Sequence, residues 1–388
     1  MEGRAEVTAD LLYSESERDL QSAVRDLLGD RCGWDKVLAR TESDQTTDTE
    51  LWQALAADLG AAGLLIPERS GGAGASYREA ACVAEELGAY VAPVPFLGSA
   101  VIATAVLLAA GEAGEAGHLI RRMAEGGLTA ALAVPFTTAP GAPFPPGLRV
   151  AGPHPGDANA GWSRLRGSVS GVADALTAGT LLVPADGVPA ALYSVDMSSA
   201  RVTRTPVVSL DMTRQLCDIT FDDAPAVLIT SGAQATVAMT AGLTAGTGIL
   251  AAEQLGVAQR CLDMTVAYVK ERRQFARPVG SFQAIKHRLA DLWVAVAQGR
   301  AASRYAADCL AHGSSDTATA VALAKAYCSD LAVHAAQECV QLHGGIGFTW
   351  EHPAHLYLKR AKADSLGLGT ADAHRTALAA LVNLPAPA

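Results

Sequence analysis

The pattern of apolar and polar residues changes twice along this chain, and these two changes limit its fold more than any other feature. Up to residue 127 apolar residues recur at helical spacing. Residues 128–230 contain short runs suited to strands, separated by turn residues, which is typical of a small β-barrel or sandwich. After residue 230 long Ala-rich segments of high helix propensity return. The sequence therefore predicts an α+β chain of three domains: an N-terminal helical domain (1–127), a central β-domain (128–230) and a C-terminal four-helix bundle (231–388).

Composition and charge exclude several classes of protein. The chain has 388 residues, half of them apolar and 18% charged, as expected of a globular protein. Its formal net charge of −10 argues against nucleic-acid binding. No apolar signal segment opens the sequence, and the uncharged runs Leu87–Gly111 and Ala224–Ala252 contain Pro, Gly and polar residues that predict buried segments, not membrane spans. Seven cysteines without a CxxC pattern predict neither disulfides nor a zinc site, and they favour a reducing cytoplasm.

The segment Tyr268–Asp291, YVKERRQFARPVGSFQAIKHRLAD, has polar residues that are not spaced like a solvated helix face. Arg272 and Arg273 stand where a predicted helix ends. Guanidinium groups at such a position can bind a phosphate through two hydrogen bonds. Alternatively, the two cations only complement the negative end of the helix dipole. Taken alone, the residues leave both interpretations open.

A second such segment is Glu338–Arg360, ECVQLHGGIGFTWEHPAHLYLKR. Gly344, Gly345 and Gly347 follow a predicted helix, and glycines allow backbone amides to approach a pyrophosphate closely. An ordinary helix end explains the same glycines equally well. The three histidines of this segment lack metal-ligand spacing, so the sequence predicts no metal site.

Together these motifs resemble those of a known family. ERRQF with GSFQAIKHRLAD, and QLHGGIGFTWEHP with LYLKRAKA, resemble the two C-terminal signatures of the acyl-CoA dehydrogenase family. LLIPERSGGAGASYREAACVAEELG resembles a segment of the family's N-terminal helical domain. The matches occur in the expected order and cover nearly the whole chain. The resemblance implies FAD bound between the β-domain and the bundle, an acyl-CoA substrate, an electron-transfer flavoprotein as electron acceptor, and assembly as a homo-oligomer or with a paired acyl-CoA dehydrogenase subunit.

The resemblance also implies which residues contact FAD. Arg272 and Gln274, accompanied by Phe275, match positions that reach the FAD diphosphate of a neighbouring subunit. Gln283 matches a further flavin-contacting glutamine. The other matched cofactor positions are Gln341, Gly344 and Gly345 at the adenosine half, and Thr370 in the stretch LGLGTADAHR.

At the catalytic base the chain departs from the family. Members remove the α-proton of the acyl thioester with a Glu while the flavin takes a hydride from the β-carbon. The usual Glu position is Leu368 here, and the position used by a minority of members aligns with about Gly246. Glu253 is the nearest acid, two helical turns further on. Burial would raise its pKa and make it a candidate base, or else Glu253 pairs with an arginine across the subunit interface.

The expected contacts to the flavin ring are altered as well. AVPFTTAPGAP replaces a Thr-Glu-Pro-Gly-like loop, and Gly171, Val172 and Ala173 replace a Trp-Ile-Thr strand over the ring, which removes a stacking surface. Two functions follow. One is an acyl-CoA dehydrogenase with a relocated base, which introduces a trans-2,3 double bond into a bulky or polycyclic acyl-CoA. The other is a non-catalytic FAD-binding subunit of a heterotetrameric acyl-CoA dehydrogenase, resembling those of actinobacterial sterol degradation. The sequence does not separate either from an acyl-CoA oxidase.

Overall fold

Helices form the N-terminal part of the chain. The structure, a computed structural model, describes residues 10–152, 162–186 and 189–384. Ser14 and Ser76 each start a helix with a capping box, in which a Glu three residues later bonds back to the serine amide. A π-helical segment, Phe96–Ala103, leads directly into the fifth helix. The helices are α1 (Glu15–Arg31), α2 (Trp34–Thr41), α3 (Thr49–Asp58), α4 (Tyr77–Ala89), α5 (Thr104–Ala110) and α6 (Gly114–Ala124).

The central part is a mixed sheet around an apolar core of its own. Its strands are β1 (Ala130–Leu132), β2 (Arg149–Ala151), β3 (Trp162–Ala173), β4 (Thr180–Ala185), β5 (Ala191–Asp196), β6 (Val202–Val207) and β7 (Leu216–Ser231). The strand order is β1-β4-β5-β7-β3-β2, with β6 also paired to β7, and only β1 and β4 are parallel. A register shift between Val169 and Val172 leaves Gly171 at φ +65°, where a side chain would be strained.

Long helices form the C-terminal part. They are α7 (Ala233–Glu271), α8 (Gln283–His312), α9 (Thr317–His343), α10 (Ala354–Leu366) and α11 (Ala371–Leu381). The short strands β8 (Arg273–Gln274) and β9 (Arg277–Pro278) form a hairpin between α7 and α8. The four-helix prediction omits α10, because the buried residues of that helix include Arg360 and Asp364, which disguise an apolar face. The three-part α+β fold class is confirmed, whereas the exact domain boundaries stay predictions.

The helix α7 is the centre of the molecule. It is long and apolar enough to cross a membrane, but 72% of its most apolar stretch is buried within the protein, as in a core helix. It crosses α4 at two glycines: a Cβ on Gly256 would overlap the carbonyl oxygen of Glu85, and a Cβ on Gly88 would overlap that of Glu253. The absence of side chains at this crossing brings the two backbones into contact.

Candidate functional site

The two sequence motifs meet at one end of the C-terminal helices. The rings of Tyr268, near the end of α7, and His343, the last residue of α9, lie 4.4 Å apart between centroids. This contact brings the β8–β9 hairpin, which follows α7, close to the GGIG segment that follows α9. The hairpin turns through Phe275 and Ala276, both at positive φ, an uncommon conformation for residues other than glycine. The Phe275 side chain is 86% exposed as a result.

The matched cofactor residues at this end are open to a ligand. Within the described ranges, the side chains of Arg272, Gln274 and Gln341 are exposed and make no hydrogen bond or ion pair. Gly344 has φ +63°, and a Cβ on Gly344 or Gly345 would point into open space. An unpaired guanidinium with accessible backbone amides suits a diphosphate group.

Gln283 and Thr370 occupy different surroundings. Gln283 is the exposed first residue of α8, next to Phe282, whose ring packs edge-on against Phe275 with 6.2 Å between centroids. It therefore belongs to the hairpin end. Thr370 lies in the α10–α11 connection, where its hydroxyl accepts a hydrogen bond from Ala373 N (3.2 Å) and caps α11. A role of Thr370 in cofactor binding stays a prediction.

A small cavity marks the place where the sequence departs from the family's base. It has a volume of about 20 Å³, room for about one water molecule. Leu368 lines it, and a Cβ on Gly246 would lie 3.2 Å from Leu368 Cδ1, so both expected base positions converge here. The other lining residues are Leu97, Gly98, Ile102, Leu132, Val134, Phe136, Ala173, Asp174 and Leu243.

Asp174 is the acid that lines this cavity, and sequence reasoning missed it. It sits at φ +59°, and its Oδ2 accepts a hydrogen bond from Gly98 N (3.0 Å), near the start of the π-helical segment. Burial raises the pKa of this carboxyl, although Arg214 and the Gly98 bond oppose the shift. The sequence analysis singled out the preceding residues, Gly171–Ala173, but no local pattern indicates that Asp174 contacts Gly98.

A larger cavity of about 490 Å³ lies on the other side of Phe136. It is bounded by the two segments that the resemblance assigns to the flavin ring, residues 135–137 and 170–171, together with the β6–β7 connection and α10. Phe136 lines both cavities, and a Cβ on Gly367 would overlap its ring. Backbone bonds to Gly171 O (2.9 Å) and from Leu368 N (2.7 Å) hold Phe136 in place. The ring of Phe136 thus separates the two cavities.

Glu253 belongs to a buried ion cluster, not to either cavity wall. Its Oε1 accepts hydrogen bonds of 2.5 Å from Nη2 of Arg214 and from Nη1 of Arg360. Burial disfavours the charged form, but the two arginines outweigh it and hold the pKa of Glu253 below its usual range. The expectation of a raised pKa is therefore wrong, because these arginines lie within the same chain. They also replace the expected arginine from a neighbouring subunit.

The ion cluster joins parts of the chain that are distant in sequence. Arg360 of α10 also lies 2.9 Å from Asp211 and donates to Thr213 Oγ1 (2.7 Å), both in the β6–β7 connection. Asp364, one turn further along α10, accepts from Arg214 Nε (3.3 Å). Lys325 of α9 donates to the backbone oxygen of Asp364 (2.8 Å). The sequence alone does not indicate that these charged residues are buried, because their partners are distant along the chain.

Two domains of a known protein family match this chain. The acyl-CoA dehydrogenase C-terminal domain matches residues 235–382, and the acyl-CoA dehydrogenase N-terminal domain matches residues 14–127. The chain belongs to the acyl-CoA dehydrogenase family. It is therefore of an oxidoreductase class, and its cofactor is FAD. Among the described residues no group of three or more His, Cys, Asp or Glu could hold a metal ion.

Several acyl-CoA dehydrogenases resemble this chain over nearly its full length. Acyl-CoA dehydrogenase IpdE2 of Mycolicibacterium smegmatis is 36% identical over 356 residues, which cover 92% of this chain and 95% of the relative. The Tcur3481-Tcur3483 steroid ACAD is 29% identical with a TM-score of 0.81, covering 95% of this chain and 98% of the other. The ChsE4-ChsE5 complex from Mycobacterium tuberculosis gives 27% identity and a TM-score of 0.83, covering 97% and 100%.

The residues of this chain suit some parts of FAD better than others. Arg272, Gln274, Gln341 and the two glycines suit its diphosphate and adenosine, and the 490 Å³ cavity is large enough for a flavin ring. When bound in an acyl-CoA dehydrogenase, FAD accepts the hydride from the β-carbon of the acyl group. Phe136 lies between this larger cavity and the small cavity at Leu368.

The raised pKa of Asp364 predicts a pH-dependent contribution to stability. Burial raises that pKa from 3.8 to about 7, so the folded protein keeps a proton that the unfolded chain releases. This contribution is complete at acidic pH and is lost as pH rises towards about 7, with a slope of up to about 1.4 kcal/mol per pH unit. Asp364→Asn should abolish it. In urea titrations between about pH 5 and pH 8, the stability of the variant relative to the wild type should rise with pH. A constant difference would contradict the raised pKa.

Proposed function

We propose that this chain is the non-catalytic, FAD-binding subunit of a heteromeric acyl-CoA dehydrogenase. The observation that carries the proposal is the small volume of the cavity at the expected base positions, about 20 Å³. Leu368 and Gly246 occupy the two expected Glu positions, and the cavity, with room for about one water, is too small for an acyl chain. A paired subunit therefore supplies the base and the acyl pocket.

The exposed FAD surface supports the same assignment. The side chains of Arg272, Gln274 and Gln341, beside Gly344 and Gly345, would hold the diphosphate and adenosine of FAD. Exposed Phe275 and Phe348 flank this surface and would be covered by the partner. The ChsE4-ChsE5 complex and the Tcur3481-Tcur3483 steroid ACAD each carry two component names, which is consistent with a paired assembly.

The reaction of the whole assembly follows from the family chemistry. In such an assembly a base of the partner would take the α-proton of the acyl thioester, and bound FAD would supply the acceptor for the β-hydride, so that a trans-2,3-enoyl-CoA would be the product. We propose a polycyclic, steroid-type acyl-CoA as substrate, since one relative is a steroid ACAD, and an electron-transfer flavoprotein as acceptor. We place the assembly in the cytoplasm, because all seven cysteines are free and buried.

The alternative of a self-sufficient enzyme assigns the base to Glu253. That carboxylate would have to leave two arginines within 2.5 Å and would have to do so at a pKa below its usual value. A general base for this step needs a free lone pair directed at the substrate. The buried ion cluster makes Glu253 a poor candidate, so we do not assign it catalysis.

FAD content distinguishes the two functions directly. Purified alone, the chain should retain well under one FAD per protomer, and no acyl-CoA should bleach that FAD anaerobically. Co-expression with the paired subunit should restore FAD and bleaching together. Near one FAD per protomer in the chain alone, reduced by an acyl-CoA, would overturn the proposal.

The contribution of Arg272 is tested in the paired assembly. Arg272→Ala should weaken FAD retention by at least about tenfold, because it removes a charge-assisted hydrogen bond to the diphosphate. Arg273→Ala, a neighbouring exposed arginine outside the matched positions, is the control and should retain FAD. FAD release is followed by flavin fluorescence during dialysis. Equal losses in both variants would mean that the surface acts only through its general positive charge.

A further inference from the structure

Two of the seven cysteines meet where α7 packs against α9. Cys261 of α7 and Cys339 of α9 are free and fully buried, and their side chains share a hydrogen bond. No spacing in the sequence indicates this pair, because the two residues lie on different helices. Two adjacent thiols can lose two electrons and two protons together and form a disulfide. The pair is therefore a candidate site of reversible oxidation.

The surroundings of Cys339 favour the thiolate form of its side chain. Nδ1 of His343, one helical turn further along α9, lies 3.6 Å from Cys339 Sγ and 2.6 Å from the Cys339 backbone oxygen. The hydrogen bond from the Cys261 thiol, together with His343, outweighs burial and lowers the pKa of Cys339 from 9.0 to about 5. Since the thiolate is the nucleophilic form of cysteine, Cys339 is suited to attack an oxidant.

Cys261 has the opposite character. Burial and its hydrogen bond to Cys339 raise its pKa well above the usual value, so the proton stays on its sulfur. A nucleophilic thiolate beside a second thiol is typical of redox-sensitive sites, in which the second thiol resolves the oxidised first one. Burial raises the pKa of the other five cysteines as well, which are Cys32, Cys82, Cys217, Cys309 and Cys328.

The end of α9 offers an oxidant a short path to Cys339. His343 is the last residue of α9, and the three residues that follow it, Gly344–Ile346, are exposed. The ring of His343 contacts the rings of Tyr268 and His352, with centroid distances of 4.4 and 4.2 Å. Helix ends open locally at little cost in free energy. Because hydrogen peroxide is close to water in size, opening of the last turn of α9 is enough to admit it.

We propose that Cys339 and Cys261 form a site of reversible oxidation by hydroperoxides, in which the Cys339 thiolate attacks the oxidant and Cys261 completes a disulfide between α7 and α9. This site goes beyond the proposed function, because it needs neither a partner subunit nor an acyl-CoA. Transient disulfides of this kind are compatible with a reducing cytoplasm.

The oxidation takes place in two steps. With hydrogen peroxide, the Cys339 sulfur attacks one oxygen, so that an S–O bond forms and the O–O bond breaks. The products are a sulfenic acid and a hydroxide ion, which takes up a proton and leaves as water. The Cys261 sulfur then attacks the sulfenic sulfur, the S–S bond forms, the S–O bond breaks, and the thiol proton leaves with the hydroxyl group as a second water. The two sulfurs are oxidised, and the peroxide is reduced.

Peptide mapping tests the proposal directly. The full-length chain is treated with hydrogen peroxide, its remaining thiols are alkylated, and its peptides are analysed by mass spectrometry without reduction. We expect a peptide pair joined through Cys261 and Cys339, which dithiothreitol separates. If no disulfide forms, or if disulfides between other cysteines form in equal or greater yield, the proposal is wrong.

Variants test the order of the two steps. In Cys261→Ser the reaction should stop at the sulfenic acid, which dimedone labels at Cys339. In Cys339→Ser the labelling of Cys261 should be at least about tenfold slower, because that thiol keeps its proton. The matched control is Cys328→Ser, at another fully buried cysteine, which should form the disulfide at the wild-type rate. If a variant does not fold, the peptide map of the wild type decides. Absence of dimedone at Cys339 in folded Cys261→Ser would overturn the proposal.

Discussion

Replacing Glu253 with Ala is expected to lower the free energy of unfolding by about 3–5 kcal/mol, because it leaves Arg214 and Arg360 buried with one less carboxylate to neutralise them. The loss would appear in urea or thermal unfolding. The matched control is Glu112→Ala, which breaks the ion pair of Glu112 with Arg69 on the surface and should change the stability far less, because water screens that pair. Similar losses of stability in the two variants would contradict a large contribution of the buried ion cluster to the free energy of unfolding.

The same position separates stability from catalysis. Glu253→Gln keeps the size of the side chain and one oxygen acceptor for the arginines, so enough folded protein should remain for assay. In the assembly with the paired subunit, turnover per folded subunit should stay near the wild-type value. A loss of several orders of magnitude, as expected on removal of a general base, would return Glu253 to the catalytic role.

A second large effect is expected where α4 crosses α7. Gly256→Ala should destabilise the protein by about 3 kcal/mol or more, because the added methyl group overlaps the backbone oxygen of Glu85, and a backbone cannot change rotamer to make room. The higher helix propensity of Ala recovers at most about 1 kcal/mol. Thermal unfolding measures the difference.

The control for this prediction is Gly345→Ala. The methyl group at that position points into open space and should change stability by less than about 0.5 kcal/mol. It also adds bulk beside the proposed adenosine surface, so only its stability is compared. Folding of Gly256→Ala with wild-type stability would mean that α4 and α7 can separate at little cost.

The sequence predicted the fold class well, because helices and strands leave their pattern of apolar and polar residues within short segments. The uncharged run Ala224–Ala252 predicted buried structure, and its stretch Ala245–Ala252 within α7 is fully buried. Helix α10 was missed because Arg360 and Asp364 look like solvated residues until their partners are known. β7 extends over 16 residues to Ser231, because its second half pairs with β5, a contact that no local pattern reports.

In the candidate site, a residue could be predicted from the sequence when its position followed from a local feature, and not when it depended on contacts between distant segments. Arg272 follows the end of α7 and Gln341 lies in the last turn of α9, and that regularity placed both at one end of the bundle. Arg214 could not be found in the same way. Its importance arises only when Glu253, Asp364 and Phe136, each far from it in sequence, meet around its guanidinium.

The ion cluster also affects how the protein unfolds. It collects side chains from the β6–β7 connection, α7 and α10, and Arg360 reaches towards the backbone oxygen of Ala92 in the N-terminal part. If one of the three parts opens, charged groups left in the other two lose the partners that neutralise them. Partial opening is therefore the most costly state, and the three parts should melt together in a single cooperative transition.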